Sequence, residues 1–159
     1  MKPENYQRYL TEVTDRIAKA ETHAKSLEHA RNTSEGKMQS RYDTQKEIFA
    51  MELSIQQGVL DNLNNFRGFL ENLQAEGLLP RNRIEYGAEF SVDLWDAQES
   101  ISNALFAPVS VNLEEVQVIT RKSPIGKAIE GMVKGNTFVY KLSDKPGAKW
   151  LAGIINRID

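Results

Sequence analysis

The sequence predicts an α+β protein in which a long antiparallel α-helical coiled-coil hairpin is followed by a small β-rich domain. The first observation behind this prediction is a change of hydrophobic period, from steps of three and four residues to simple alternation. The second is the helix-stop segment Gly77-Leu78-Leu79-Pro80, which lies where the period changes. We therefore assign residues 1–76 to the hairpin, 77–85 to a linker and 86–159 to the β-rich domain.

A seam of apolar residues without glycine predicts the first helix. Residues 4–32 contain no Gly, and Pro3 suits the start of a helix. The apolar residues of the seam are separated by steps of three and four, as in a coiled coil: Leu10, Val13, Ile17, Ala20, Ala24 and Leu27. A helix of about 29 residues would be roughly 45 Å long.

A second helix is predicted from about Ser40 to Gln74, after a turn that begins at Asn32. Because a short link joins two long helices, we expect an antiparallel hairpin with its tip at about residues 32–40. The apolar stripe of the second helix is wider than that of the first. We expect its excess to dock onto the next domain, and this excess comprises Phe66, Phe69, Leu70 and Leu73.

The second half of the chain alternates as strands do, with one short helix between them. Ser123 fits an N-cap, Pro124 the first helical residue and Gly131 a helix stop. Trp95 and Trp150 are expected in the core or at a domain contact. The predicted strands are Ala88–Leu94, Val116–Ile119, Thr137–Leu142 and Trp150–Ile155.

Composition excludes several classes of function. The 159 residues include no Cys, which excludes disulfides and Cys-based metal sites and makes the cytoplasm the default location. No apolar run approaches the ~20 residues of a membrane span. The 20 basic and 22 acidic residues do not form a basic nucleic-acid-binding body, so we expect any contact with nucleic acid to be indirect. Without a phosphate loop, a His-based dyad or clustered carboxylates, we expect no catalysis by the chain itself.

The segment Ser123–Gly131, followed by Gly135-Asn136, resembles the C-terminal domain of the bacterial Gre transcript-cleavage factors GreA and GreB. In that family a Ser-Pro-(Leu/Ile)-Gly-(Arg/Lys)-Ala segment precedes a Gly-Asp turn and a strand. The segment Tyr86–Val92 is similar to the strand that opens the same domain. The order of parts is also similar, because a coiled-coil hairpin precedes an FKBP-like β domain in the family.

The resemblance implies a transcription elongation factor that binds RNA polymerase through its β domain and inserts its hairpin into the secondary channel. Acidic residues at the family's hairpin tip help to hold a catalytic Mg²⁺ of the polymerase, which then cleaves backtracked RNA. The resemblance implies no cofactor of the protein's own and indirect contact with nascent RNA. We expect a monomer, because the tight tip favours a hairpin within one chain. The expected polymerase-binding segment comprises Arg121, Lys122, Ser123, Pro124, Ile125, Gly126 and Lys127.

The tip sequence departs from the family pattern. When the two are aligned on Tyr42, the first family acid falls on Glu35 and the second falls on Met38, whose thioether is a poor ligand for a hard cation. Glu35 is therefore the candidate ligand for the polymerase-bound Mg²⁺. The candidate functional residues of the tip are Glu35, Lys37, Met38, Arg41 and Asp43.

The departure at the tip leaves several functions open. Glu35, with Asp43, assists cleavage in one interpretation, whereas in another the protein regulates polymerase from the secondary channel without cleavage. A third makes the hairpin an interaction arm of a coiled-coil adaptor or structural protein without polymerase binding, and a fourth is a stress regulator resembling Rnk. In the plainest interpretation Glu35 is a solvated loop charge and the Ser123 segment is only a well-capped helix. Whether binding activates or inhibits polymerase is also open.

Overall fold

The computed structural model describes residues 1–33, 39–95, 99–143 and 145–159, and the side chains of residues 39–43 and 99 lie outside this description. The predicted order of a helical hairpin and a β-rich domain is confirmed. The helices are α1 (Pro3–Thr33), α2 (Gln39–Ala75) and α3 (Pro124–Ile129). The strands are β1 (Glu89–Leu94), β2 (Glu99–Ala107), β3 (Gln117–Thr120), β4 (Thr137–Lys141) and β5 (Trp150–Ile158).

The two long helices follow the sequence pattern closely. The seam of α1 is buried at Val13, Ile17, Ala20 and Leu27, as the heptad steps predict. Helix α2 ends in a Schellman motif, in which the Leu78 N–H donates to the Leu73 carbonyl at 3.0 Å and the Gly77 N–H to the Gln74 carbonyl at 2.9 Å. Gly77 has a φ of 88°, which a residue without a Cβ adopts without strain.

The five strands form one sheet in the order β3-β2-β1-β5-β4. Only the β2–β3 pair among these neighbours is parallel, so residues 108–116 form a crossover between the two strands. The sequence prediction missed β2. Its first half is polar and exposed at Ser100, Ser102 and Asn103, and its second half is buried on both faces, so no alternation is visible.

Each face of the sheet packs against a different partner. The inner face, which carries Phe90, Val92 and Phe106, packs with Ile125 and Ile129 of α3 and its flanks. The outer face contributes Leu105 and Ala107 to a core shared with the hairpin. The predicted docking of the excess apolar residues of α2 is confirmed, because this shared core contains Phe66, Leu70, Leu73 and the partly buried Phe69.

A buried carboxylate joins the hairpin to the sheet. Glu89, at the start of β1, is only 4% exposed. It accepts hydrogen bonds from the Tyr9 hydroxyl at 2.9 Å, the Asn5 side-chain amide at 2.8 Å and the Lys2 N–H at 3.1 Å. Burial raises the pKa of the Tyr9 hydroxyl well above its ordinary value, and the adjacent Glu89 carboxylate raises it further. These bonds hold α1 in one position on the sheet.

The crossover fills a groove along the hairpin. Its Val109, Val111 and Leu113 are partly buried against the shared core. The Glu12 carboxylate accepts the Glu114 N–H at 2.9 Å, and the Arg8 guanidinium pairs with Glu115 at 2.9 Å. The crossover therefore places apolar side chains against the hairpin and two glutamates against α1.

The shared core covers only part of the hairpin. Its members on the two helices reach Ala24 on α1 and start at Leu60 on α2. We call residues 1–24 and 60–75 the base, and residues 25–33 and 39–59 the arm. The α2 part of the arm is about 30 Å long, from its 21 residues. The hairpin therefore projects well beyond the β domain that holds its base.

Candidate functional site

The Ser123 segment forms a tight turn between β3 and α3. The Ser123 hydroxyl accepts the Gly126 N–H at 3.0 Å and donates to the Thr120 carbonyl at 2.8 Å. Ser123 is thus the N-cap and Pro124 the first residue of α3, as the sequence predicts. At the other end, Gly131 has a φ of 77° and donates its N–H to the Ile84 carbonyl at 2.7 Å, which confirms it as the helix stop.

Gly126 is required by the closeness of this turn. A Cβ at this position would lie 1.9 Å from the Thr120 carbonyl oxygen, a backbone atom that cannot move aside cheaply. Ile125 is buried in the inner core beside it. Ser123, Ile125 and Gly126 therefore determine the shape of the turn, and they lie largely beneath its surface.

The side chains that the turn presents to solvent are Arg121, Lys122, Pro124 and Lys127; together they are called the basic turn below. The Arg121 guanidinium pairs with the Glu130 carboxylate at 2.9 Å, while the Arg121 side chain remains 66% exposed. An ion pair as exposed as this contributes little to stability. The turn thus combines a rigid backbone with cationic side chains that are accessible to a partner. Contact of the segment 121–127 with polymerase stays a prediction.

Most of the predicted hairpin tip lies outside the described residues. Glu35, Lys37 and Met38 lie outside the described residues. Arg41 and Asp43 lie in the first turns of α2, but their side chains are outside the description. The role of Glu35 as a ligand for a polymerase-bound Mg²⁺ therefore stays a prediction. Elsewhere in the described ranges, no group of three or more His, Asp or Glu residues is placed to hold a metal ion.

The two tryptophans do not lie in the core, so this part of the sequence prediction was wrong. Trp95 is 56% exposed and Trp150 is 61% exposed. Ile155 belongs to the inner core, and the alternation of buried and exposed residues along β5 puts the buried Leu151 on the same face and directs Trp150 outward. Val139 of β4 lies on the same outer face and is 60% exposed. The hairpin covers the outer face of the sheet at β2 but does not cover the two tryptophans, which are therefore exposed.

A row of apolar side chains runs along the arm on α2. Its members are 41–68% exposed and follow one another at steps of three, four and four residues: Ile48, Met51, Ile55 and Val59. We call them the arm row. The sequence analysis noted only that the apolar stripe of the second helix is wider than that of the first. Its width was the signal that the stripe has two faces, of which only one packs against α1. No helix in the described parts of the chain is long and apolar enough to cross a membrane.

No protein-family model matches the chain, and no curated protein matches it either. Solved structures do align with it along most of its length. Gfh1 of Thermus aquaticus aligns over 98% of this chain and 92% of its own, at 16% identity and a TM-score of 0.38. GreA factor homolog 1 (Gfh1) of Thermus thermophilus aligns over 98% and 93%, at 18% identity and a TM-score of 0.38.

A prokaryotic transcription elongation factor GreA/GreB from Nitrosomonas europaea aligns over 69% of this chain and 92% of its own, at 21% identity and a TM-score of 0.37. The names of these structures are those of GreA, GreB and a GreA homolog, the family that the Ser123 segment resembles. TM-scores below 0.5 do not carry a function from one protein to another.

Proposed function

We propose that this chain is a Gre-like regulator of RNA polymerase, in which the β domain anchors the protein and the hairpin enters the secondary channel. One observation carries the proposal: an arm about 30 Å long projects beyond a base that is locked onto a separate sheet. A long two-helix projection does not help to bury the core that stabilises the protein. The length of the arm is therefore explained better by a need to contact a site far from the β domain than by a contribution to stability.

The basic turn supports the anchoring role. The Gly126 N–H bond to Ser123 holds the backbone of the turn, so Lys122 and Lys127 are presented on a rigid support. Rigid presentation lowers the ordering entropy lost on binding. An acidic surface on the polymerase is the partner that such cations would recognise.

A charge-reversal experiment tests the anchoring role. Lys127→Glu should weaken binding of the full-length protein to core RNA polymerase by about tenfold, because a favourable charge contact becomes a repulsive one. Lys145→Glu is the matched control, since Lys145 is also exposed and undergoes the same change of charge outside the basic turn. Binding would be followed by fluorescence anisotropy at two salt concentrations. Absence of wild-type binding at micromolar concentrations would refute polymerase binding, and equal loss in both variants would refute the assigned surface.

Transcript cleavage can be tested separately from polymerase binding, through the acidic positions of the hairpin tip. With Met38 at the second acidic position, Glu35 is the one family acid retained, and a single carboxylate is a poor ligand set for Mg²⁺. Backtracked complexes saturated with the protein should be compared with Glu35→Gln and with Met38→Asp. Shortened RNA that is lost in Glu35→Gln supports assisted cleavage. If the RNA is not shortened with the wild type but is shortened with Met38→Asp, the protein is a regulator that does not stimulate cleavage.

A further inference from the structure

A cleft of about 420 Å³ lies at the end of the base that adjoins the arm, where α1, α2 and the crossover meet. Ala20 and Leu63 are buried in the shared core and Val111 packs against it, so these three residues form an apolar floor. Val59, which is 41% exposed, borders the floor. The volume lies within the roughly 300–1,000 Å³ that is typical of small-molecule sites.

The α1 side of the cleft is cationic. Arg16, Lys19 and His23 follow one another at steps of three and four residues, which places them on one face of the helix. The Arg16 guanidinium pairs with the Glu12 carboxylate at 2.7 Å, and Glu12 also accepts the Glu114 N–H at 2.9 Å. This pair orients Arg16 and leaves further N–H donors for a ligand. Lys19 is exposed and makes no ion pair within the described ranges of the chain.

A neighbouring cleft on α1 differs from this one in its charge. It shares Arg16 and Lys19, but it is also lined by four carboxylates, those of Glu12, Asp15, Glu114 and Glu115. Its cations are therefore matched by acidic groups of the chain itself. None of the described residues that line the first cleft is acidic. The first cleft thus combines an apolar floor with positive charge that its own lining does not offset, which favours an organic anion as its ligand.

Polar side chains complete the lining on the two sides away from α1. Asn62 of α2 and Ser110 and Asn112 of the crossover are exposed, and their amide and hydroxyl groups both donate and accept hydrogen bonds. A matching ligand has an apolar face for the floor, hydrogen-bonding groups at its edge and an anionic group for α1. A fatty acid has no such polar edge. A nucleobase that carries a phosphate through its sugar has all three features.

We propose that this cleft binds a nucleoside phosphate, with the phosphate at Arg16 and Lys19 and the base on the floor formed by Leu63 and Val111. A guanidinium suits the phosphate because its planar N–H groups can bind two oxygens at once. The ligand would contact α1, α2 and the crossover together. These elements meet only in the folded base, so binding stabilises the base.

Calorimetric titration of the full-length protein with ADP, GDP, CDP and UDP tests the site. At least one of these nucleotides should bind saturably, and Lys19→Glu should weaken that binding by at least about tenfold, because attraction becomes repulsion. Lys145→Glu is the matched control, since Lys145 is also exposed but does not line the cleft. It should bind like the wild type. No saturable binding of any nucleotide at millimolar concentration, or equal weakening in both variants, would overturn the proposal.

The floor is tested by filling the cleft. Val59→Trp should weaken binding by at least about tenfold, because the indole would occupy space needed by the base. Ile55→Trp is the matched control, since Ile55 lies about one turn away on α2, is 54% exposed and does not line the cleft. Equal affinities of these two variants would contradict the assigned position of the base. Circular dichroism would verify that each variant keeps its helix content.

Two further probes separate the parts of the ligand. Inorganic pyrophosphate has the charge without the base, and decanoate has an anionic group and an apolar chain without a polar edge. Each should bind at least about tenfold more weakly than the tightest-binding nucleotide. Equal binding of pyrophosphate would identify a site for phosphate alone, and equal binding of decanoate a site for fatty acids. Either result would overturn the proposal.

Thermal unfolding provides a readout that does not depend on heats of binding. The tightest-binding nucleotide should raise the Tm of the wild type and of Lys145→Glu to a plateau, and should raise that of Lys19→Glu less at the same concentration. Equal shifts in all three proteins would contradict binding at Lys19. These assays contain no polymerase and the cleft lies outside the basic turn, so their outcome is independent of the proposed regulatory function.

Discussion

The base and the arm belong to the same two helices but experience different environments. In the base, Phe66 and Leu70 are fully buried in a core that the sheet shares, and Glu89 binds side chains of α1. In the arm, Met51 and Ile55 are more than half exposed although they continue the same apolar pattern. The same apolar stripe thus stabilises the fold where the sheet covers it. Where the sheet ends, the stripe is exposed to solvent.

The largest expected loss of stability follows from a substitution in the base. Phe66→Ala should lower the free energy of unfolding by about 3–5 kcal/mol, because it leaves a cavity in the shared core. Phe49→Ala is the comparison in the arm, where the ring is only half-buried, and it should cost less than half as much. Urea unfolding at 25 °C measures both. Equal costs would mean that base and arm are packed alike.

A smaller effect concerns the polar contact within the base. Tyr9→Phe removes the hydroxyl that donates to Glu89 and should cost about 1–3 kcal/mol at neutral pH. Tyr86→Phe provides the control, because the Tyr86 side chain is 40% exposed. Its cost should be within about 0.5 kcal/mol of zero.

The same hydroxyl predicts a pH dependence. Burial and Glu89 raise the pKa of Tyr9 above its ordinary value of 10.0, so the folded state holds this proton more tightly than the unfolded chain does. The stabilisation is therefore complete below pH 10 and declines as the pH rises beyond it. Unfolding between pH 9 and 11 should show a steeper loss for the wild type than for Tyr9→Phe. Some slope should remain, because burial also raises the pKa of Tyr6. Parallel curves would contradict the role of Tyr9.

The smallest expected effect is in the arm row. Ile55→Ala should change the free energy of unfolding by no more than about 0.5 kcal/mol, because the side chain is exposed and Ala is the better helix former. Thermal unfolding gives the comparison with the wild type. A loss above about 2 kcal/mol would mean that Ile55 is covered in solution.

Local patterns predicted most of the fold. The heptad steps gave α1, Gly77 gave the end of α2, and Ser123 with Gly131 gave both ends of α3. Strand β2 was missed because burial on both faces at Ala104–Ala107 removes the alternation that identifies strands. The shared core could be anticipated only as excess apolar residues on α2, since sequence alone does not show what covers them.

The candidate site was predictable in its backbone but not in its surface. Ser-Pro-x-Gly implies the capped turn, and the structure adds that Gly126 is forced by the Thr120 carbonyl. Which of the seven residues are accessible depends on the inner core, which buries Ile125. The tryptophans were misplaced for the complementary reason: large apolar residues are usually buried, but the hairpin does not extend across the whole outer face.

The hydrogen bonds from Tyr9 and Asn5 to Glu89 fix the angle between the hairpin and the sheet at one end of the hairpin. A tilt of about 5° at the base would move the far end of a 30 Å arm by about 3 Å. The position of the far end of the arm would therefore depend on the contacts of Tyr9 and Asn5 with Glu89, which lie at the opposite end of the hairpin. Substitutions at these residues would change the direction of the arm without changing the side chains that it carries.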